Sequence, residues 1–178
     1  MIRFLTILLL ICFGLSSLAQ DKDLIPWQAE RRLTWNDFVK KRDNGQNGLK
    51  ALTTAGIGVE FECTGPEPKV LVTCHFKKKE SWTRTTESDA LLAHEQLHFD
   101  ATELFARKLR KKLTELNDPC SKGSGRVQGI YNSNFKELHD YQEQYDKQTK
   151  HGLNAKEQAE WFLKVAKGLK ELEDFASK

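Results

Sequence analysis

Five residues, His94 to His98, carry the side chains best suited to chemistry. They read His-Glu-Gln-Leu-His, and on an α-helix two histidines four apart project from one face, one turn apart. Two imidazoles in that position can bind one zinc ion at about 2.0–2.1 Å each. Glu95 would then stand beside the zinc-bound water and accept its proton. The spacing therefore predicts two zinc ligands, His94 and His98, and a general base for metal-assisted hydrolysis, Glu95.

A third zinc ligand must come from another part of the chain, because catalytic sites combine three protein ligands with an open position for water. We predict His151, which closes a predicted helix and is followed by Gly152. Glycine permits the backbone turn that would aim the ring. His139 or a carboxylate remains the alternative third ligand.

Three other side chains are predicted to assist the site. Asp100 and Glu103 lie two and five residues after His98, which places them off its face of the helix. Either could instead orient an imidazole through its second nitrogen. The Tyr145 hydroxyl is predicted to stabilise the negative charge that develops on a tetrahedral intermediate.

A long helix, from about residue 89 to residue 113, is predicted to carry the motif. Polar residues 83–88 precede it and offer N-caps. The two histidines lie on or beside its inward face, where imidazoles need partners, and a metal would satisfy both. Apolar side chains recur along this face at steps of three and four residues: Ala90, Leu91, Leu97, Ala101, Leu104, Phe105 and Leu109.

Two strands are predicted before that helix. Residues 53–63 and 70–75 alternate apolar and polar side chains, which is the pattern of half-buried strands. The Gly-Pro-Glu-Pro sequence at 65–68 predicts a turn that pairs them antiparallel. The second strand is expected to offer an edge, from Lys69 to His75, on which an extended peptide docks by strand addition.

Two further helices are predicted after the motif. One spans about residues 132–150, and the other begins at a capping box formed by Asn154 and Glu157 and ends near Ala176. Strands followed by helices are typical of one α+β domain. We expect a small antiparallel β-sheet followed by three long helices, with a zincin-like motif helix.

Residues 1–19 have the pattern of a cleavable signal peptide. Arg3 precedes a nearly continuous apolar run, and small residues lead up to Ala19. The run is too short for a comfortable membrane span, so we expect no stable membrane insertion after cleavage. The predicted mature part, residues 20–178, forms a single metallopeptidase-like domain and is secreted or periplasmic.

The charge composition gives no indication of a nucleic-acid partner. The formal net charge is +3, and it falls to about +2 without Arg3, which is near neutral for this size. Basic residues at 107–112 close the predicted motif helix, where cations interact favourably with the helix dipole.

Three cysteines remain in the predicted mature domain: Cys63, Cys74 and Cys120. An odd number in an exported protein allows one internal disulfide and leaves one free or intermolecular thiol. Cys63 and Cys74 flank the predicted turn and are the favoured pair, although a tight hairpin would not place them directly opposite each other. The absence of Cys-x-x-Cys spacing argues against a thiolate zinc site.

In several segments the chain resembles a bacterial family of unknown function that is described as predicted secreted zinc-dependent proteases. The most specific segment is His-Glu-Gln-Leu-His-Phe-Asp, residues 94–100. The other matching segments are residues 33–38, 81–82, 91–110 and 145–152, followed by Gln158 and Trp161.

The resemblance implies a metallopeptidase site with His94 and His98 as ligands and Glu95 as base. It also favours His151, which stands in the Tyr-Asp…Thr-x-His-Gly tract. Gln148 departs from the pattern, because an acidic residue is expected at that position.

The predicted function is that of a secreted zinc metallopeptidase acting on a peptide or protein. Zinc would lower the pKa of its bound water toward about 7 and polarise the scissile carbonyl, and Glu95 would pass the water proton to the leaving amine. Two alternatives stay open: an exported zinc-binding module without turnover, and a metal-free helical interaction domain. A cell-wall peptide cross-link is another substrate open to the same chemistry.

Overall fold

The computed structural model describes residues 22–41, 48–64, 69–116, 120 and 124–177. The predicted signal peptide and the predicted turn at 65–68 lie outside these residues. Among the helices of the described part, none is long and apolar enough to cross a membrane.

Strands come first and helices follow, which confirms the predicted α+β class. The described residues form the strands β1 (Leu24–Pro26), β2 (Val39–Lys40), β3 (Ala51–Leu52), β4 (Ala55–Glu62), β5 (Lys69–Lys77) and β6 (Trp82–Thr83). They also form the helices α1 (Asp89–Thr114), α2 (Ser124–Thr149) and α3 (Ala155–Glu171). Short 3-10 helices lie at Trp35–Asp37 and Glu173–Phe175.

The larger sheet has the order β1-β5-β4, and its strand pairs are antiparallel. Ala55 pairs with Phe76 and Glu62 with Lys69, which confirms the predicted pairing of β4 with β5. The prediction that β5 is an edge strand is wrong, because β5 is the central strand of this sheet. β1 covers only its last three residues, His75–Lys77, so peptide docking along residues 69–74 stays a prediction. Leu24–Pro26 pairs with the second half of β5, and a segment of three residues is too short to show the alternation that would have predicted it.

A second, smaller sheet has the order β2-β6-β3, with β6 parallel to β2 and antiparallel to β3. Leu52 of β3 pairs with Trp82 of β6, so β3 is an edge strand. The hydroxyl of Thr53, which follows β3, donates a hydrogen bond to the Glu95 carbonyl at 3.1 Å. The smaller sheet therefore ends against the motif helix.

Helix α1 carries the motif and packs on both sides. It begins after Ser88, whose hydroxyl accepts a hydrogen bond from the Leu91 N–H at 3.1 Å, as the predicted N-cap requires. Phe99 packs on Phe76 of the larger sheet, with 5.8 Å between the ring centroids, and Leu97 packs in the cluster formed with α2 and α3. Contacts on both sides hold the motif in a largely buried helix.

Helix α2 begins at Ser124, earlier than the predicted start at residue 132. Gly125 and Gly129 lower the intrinsic helix preference of this stretch. Val127 and Tyr131 nevertheless pack on the core beside the larger sheet. Tertiary packing supplies most of the stability of a helix in a protein, which explains the early start.

Helix α3 begins after Asn154, as predicted. The Asn154 side chain accepts a hydrogen bond from the Glu157 N–H at 3.4 Å. The α-helix ends at Glu171, and only the short 3-10 helix follows toward the predicted end near Ala176.

The disulfide joins Cys63 to Cys120, with 5.8 Å between their Cα atoms, and Cys74 is a buried free thiol. The favoured Cys63–Cys74 pair is therefore wrong. Cys74 pairs with Ile57 in the register of β4 and β5, and Cys63 lies six positions after Ile57, about 20 Å further along the chain. The partner of Cys63 lies 57 residues away in the sequence, so the spacing of neighbouring cysteines could not predict it.

Candidate metal centre

The side chains of His94, His98 and Asp146 converge where α1 faces α2. Their ligand atoms all lie within 4.8 Å of one another. The Asp146 Oδ1 is 3.1 Å from the His94 Nε2 and 3.0 Å from the His98 Nε2. The spacing of four residues brings both imidazoles to one face of α1, as predicted from the motif, and α2 supplies the carboxylate.

The other ring nitrogen of each histidine faces a glutamine. The His94 Nδ1 lies 3.1 Å from the Gln158 Oε1, and the His98 Nδ1 lies 3.1 Å from the Gln142 Oε1. A carbonyl oxygen can only accept a hydrogen bond, so each Nδ1 carries a proton and donates it. A neutral imidazole in this form presents a lone pair at Nε2.

The orientation of the Gln142 amide is determined by a third residue. The Thr102 hydroxyl donates its proton to the His98 carbonyl at 2.9 Å. It can therefore only accept from Gln142, whose Nε2 lies 3.2 Å away. This contact leaves the Gln142 Oε1 facing His98 and supports the assignment of the His98 proton to Nδ1.

The convergent atoms form a possible metal site, which can be compared with the geometry of a zinc ion. Two imidazole lone pairs and one carboxylate oxygen face one another, and they repel unless a cation or a proton lies between them. Ligand atoms in a tetrahedral zinc site stand about 3.3 Å apart, because each bond is about 2.0–2.1 Å long. The separations of 3.0 and 3.1 Å from Asp146 are close to that value, and two nitrogens with one oxygen form a donor set that zinc accepts.

Electrostatic coupling changes the pKa values of two members of this group. Burial alone would raise the pKa of Asp146, but hydrogen bonds with His94 and His98 hold it well below its usual range. Burial would lower the pKa of His98, yet the hydrogen bond and the charge of Asp146 raise it above its ordinary value. Asp146 thus stabilises positive charge beside it, whether that charge is a proton or a metal ion.

Glu95 lies beside the group with an unsatisfied oxygen. The residue is 4% exposed, and among the described residues its Oε2 has no hydrogen-bond partner. A buried carboxylate oxygen without a partner is energetically costly. The unsatisfied oxygen is therefore a feature of Glu95 that its packing does not explain.

One cleft of about 420 Å³ contains Glu95 and the three converging side chains. Its other walls are residues 48–53, the start of α1, and residues 150–153 between α2 and α3. Its volume lies within the usual range of small-molecule and peptide side-chain sites, about 300–1,000 Å³.

His151 lies at this cleft, but it does not belong to the group of three. Its side chain is 56% exposed, and its Nδ1 is 3.5 Å from the Asp146 Oδ1. It stands in a turn where Lys150, His151 and Gly152 have φ angles of 52°, 54° and 82°. The predicted turn is present, whereas the carboxylate of Asp146 stands where His151 was expected as the third ligand. His139, the alternative, is exposed on α2 and pairs with a neighbouring glutamate.

Tyr145 packs against the rings of His94 and His98 and does not line the cleft. It is 1% exposed, and its hydroxyl lies 2.9 Å from the Gln158 Oε1 and 3.2 Å from the His94 carbonyl. Burial raises its pKa far above the ordinary value. This position does not fit the predicted contact with an oxyanion, and it makes Tyr145 a positioning residue for Gln158 and His94.

A family model for bacterial proteins of unknown function (DUF922) matches residues 18–152, more than half of the chain. The chain belongs to this family. In this DUF922 member the matched range includes the three converging residues, Glu95 and His151, whereas Gln158 lies beyond it. No curated protein matches the chain, and no solved structure matches it.

The two carboxylates predicted to orient an imidazole have other partners in this DUF922 protein. Asp100 accepts a hydrogen bond from the Trp27 Nε1 at 2.9 Å. Glu103 is fully buried and forms ion pairs with Arg107 and Arg110. Both side chains therefore stabilise the packing of α1 rather than the histidines.

Sequence reasoning missed three residues of the site: Asp146, Gln142 and Gln158. Gln142 and Asp146 stand four apart on α2, so they share a face by the same rule that pairs the histidines. That spacing, together with the Tyr145-Asp146 pair in the resembling tract, was the available signal. No local signal indicated that this face of α2 would meet α1.

Proposed function

We propose that this protein is an exported zinc-dependent metallopeptidase with His94, His98 and Asp146 as the zinc ligands. The observation that carries the proposal is the convergence of two imidazole nitrogens and one carboxylate oxygen beside Glu95, a buried carboxylate with an unpartnered oxygen. If His94, His98 and Asp146 formed only a stabilising ion pair, a buried carboxylate without a hydrogen-bond partner beside them, Glu95, would have no role in it.

Zinc in this position supplies a Lewis acid that lowers the pKa of water and polarises a carbonyl group. Glu95, which lines the cleft, is the general base: its carboxylate would accept a proton as the water oxygen bonds to the scissile carbonyl carbon. As the C–N bond breaks, Glu95 returns that proton to the leaving amine. Burial of Glu95 and the histidines keeps competing bulk water away from these transfers.

The open edge of β3 supports a peptide as the substrate. The Arg84 N–H donates to the Lys50 carbonyl at 2.8 Å, so the backbone groups of Lys50 face β6. Successive residues of a strand direct their N–H and C=O groups to opposite sides, so those of Ala51 face away from β6. Among the described strands none pairs with β3 on that side, and residues 50–53 line the cleft. An extended peptide can add there as a further strand, in place of the β5 edge expected from the sequence.

The deciding experiment compares hydrolysis of a peptide mixture by the zinc-loaded native chain with hydrolysis by Glu95→Gln. We expect at least a 100-fold loss of rate with Glu95→Gln and unchanged binding of one zinc per chain. Glu143→Gln is the matched control, because Glu143 is exposed on α2 and pairs only with His139 among the described contacts. Undiminished hydrolysis by Glu95→Gln would exclude this mechanism, and zinc binding without turnover by the native chain would indicate a zinc-binding module instead.

A further inference from the structure

Two exposed leucines stand on different walls of the cleft. Leu52 is 42% exposed on β3, and Leu153 is 86% exposed between α2 and α3. Both line the cleft that holds Glu95 and Asp146. A single exposed leucine is ordinary on a protein surface. Two exposed leucines in one cleft with Glu95 and Asp146 are less ordinary. Apolar walls around a small number of polar groups are typical of a ligand pocket.

The backbone around Leu153 is held in place although its side chain is exposed. The Leu153 N–H donates to the Lys150 carbonyl at 3.3 Å, and the Asn154 N–H donates to the Thr149 carbonyl at 2.8 Å. The positive φ of Lys150 and His151 is strained in residues other than glycine and persists only where surrounding contacts hold it. The turn therefore keeps Leu153 at the mouth of the cleft.

Leu52 is held by the pairing of β3 with β6. It pairs with Trp82, and the next residue, Thr53, is hydrogen-bonded to the Glu95 carbonyl. Apolar surfaces held in this way can bind a ligand without a further cost of ordering. The same cleft is also lined by the apolar residues Leu49, Ala51, Ala90 and Leu91.

We propose that Leu52 and Leu153 select peptides with a bulky apolar side chain next to the scissile bond. This inference rests on the proposed peptidase function and names the substrate class of the same site. The apolar side chain leaves water for the apolar lining, while the polar centre meets the peptide group. Removal of one leucine contact reduces the preference for an apolar over a small side chain by about tenfold.

The test uses two probes, N-acetyl-leucine hydroxamate and N-acetyl-glycine hydroxamate, which carry the same zinc-binding group and differ in the side chain. Their binding to the zinc-loaded mature chain is measured by calorimetry. We expect the leucine probe to bind the native chain at least about tenfold more tightly. Most of that preference should be lost in Leu52→Ser and in Leu153→Ser. Leu163→Ser is the matched control, because Leu163 is 67% exposed on α3 and does not line the cleft.

Equal affinity of the two probes for the native chain overturns the proposal, whether or not the variants fold. A preference that survives both serine substitutions overturns it as well. Mapping of cleavage sites in a peptide mixture separates this inference from the proposed function. Cleavage without preference for apolar neighbours overturns only the selection, whereas an intact leucine preference without any cleavage overturns the peptidase and supports the apolar pocket.

Discussion

Gly152 lies directly against His94. A Cβ placed on residue 152 would stand 3.0 Å from the His94 Cβ and 3.1 Å from its Cγ, closer than side chains approach one another. The turn that ends α2 thus supports the His94 ring of α1, and only glycine fits there, since Gly152 also has a φ of 82°.

We therefore expect Gly152→Ala to weaken zinc binding by about tenfold or more and to lower the free energy of unfolding by about 1–3 kcal/mol. The added methyl group displaces the His94 ring, and alanine is strained at positive φ. Zinc titration and urea unfolding would measure the two effects. Gly48→Ala is the control, because Gly48 has a φ of 66° but no atom of the described residues within 4 Å of the added Cβ, so it should lose stability without a change in the zinc dissociation constant.

Asp146→Asn should reduce zinc affinity more than His151→Ala. Asp146 places a charged oxygen 3.0 and 3.1 Å from the two Nε2 atoms, so its neutralisation should cost more than about 100-fold in zinc affinity if it is a ligand as proposed. His151 is largely exposed and lies outside the group of three, so its loss should leave one zinc per chain. Elemental analysis and competition with a chelator would measure both variants. The reverse order of effects would restore His151 as the third ligand.

Gln158→Leu should weaken zinc binding by about 10–100-fold. The substitution removes the acceptor that keeps the His94 proton on Nδ1 and also binds the Tyr145 hydroxyl. Gln158→Glu retains a carbonyl-like acceptor and should restore most of the affinity, a result that a purely structural role of this residue would not produce. Gln144→Leu, at an exposed position of α2, serves as the control, and equal affinity in both leucine variants would contradict the positioning role.

Asp37 should stabilise the fold in a manner that depends on pH. Burial alone would raise its pKa, but hydrogen bonds from Thr34 and the ion pair with Arg31 lower it below the ordinary value. A carboxyl whose pKa is lower in the folded state contributes stability above the unfolded pKa of about 3.9, and loses that contribution as the pH falls through the folded pKa.

Asp37→Asn should accordingly cost about 1–2 kcal/mol at neutral pH, and its difference from the native chain should shrink below about pH 4. Urea unfolding at pH 7 and at pH 3 would measure this difference. Asp140→Asn, at an exposed partner of Lys136 on α2, should have little effect at either pH. A constant penalty for Asp37→Asn across this range would show that its ionisation is not coupled to folding.

Several parts of the structure could be predicted from short-range patterns. The start of α1 at Ser88, the cap of α3 at Asn154 and the pairing of β4 with β5 all follow from residues within a few positions of one another. The strand β1 and the first turns of α2 could not be predicted, because their local sequence is short or rich in glycine, and burial against the core stabilises them.

Local spacing was enough to predict that His94 and His98 project from one face of a helix with Glu95 between them, because the helical repeat places residues four apart on one face. The side chains that complete the group could be found only from the packing of the helices. Asp146 and Gln142 come from α2 and Gln158 from α3, and the packing of these helices on α1 brings them to the two nitrogens of each imidazole. The partner of Cys63 and the central place of β5 were decided in the same way. Contacts between distant segments depend on which apolar surfaces pack against each other, and the spacing of residues within one segment does not predict that.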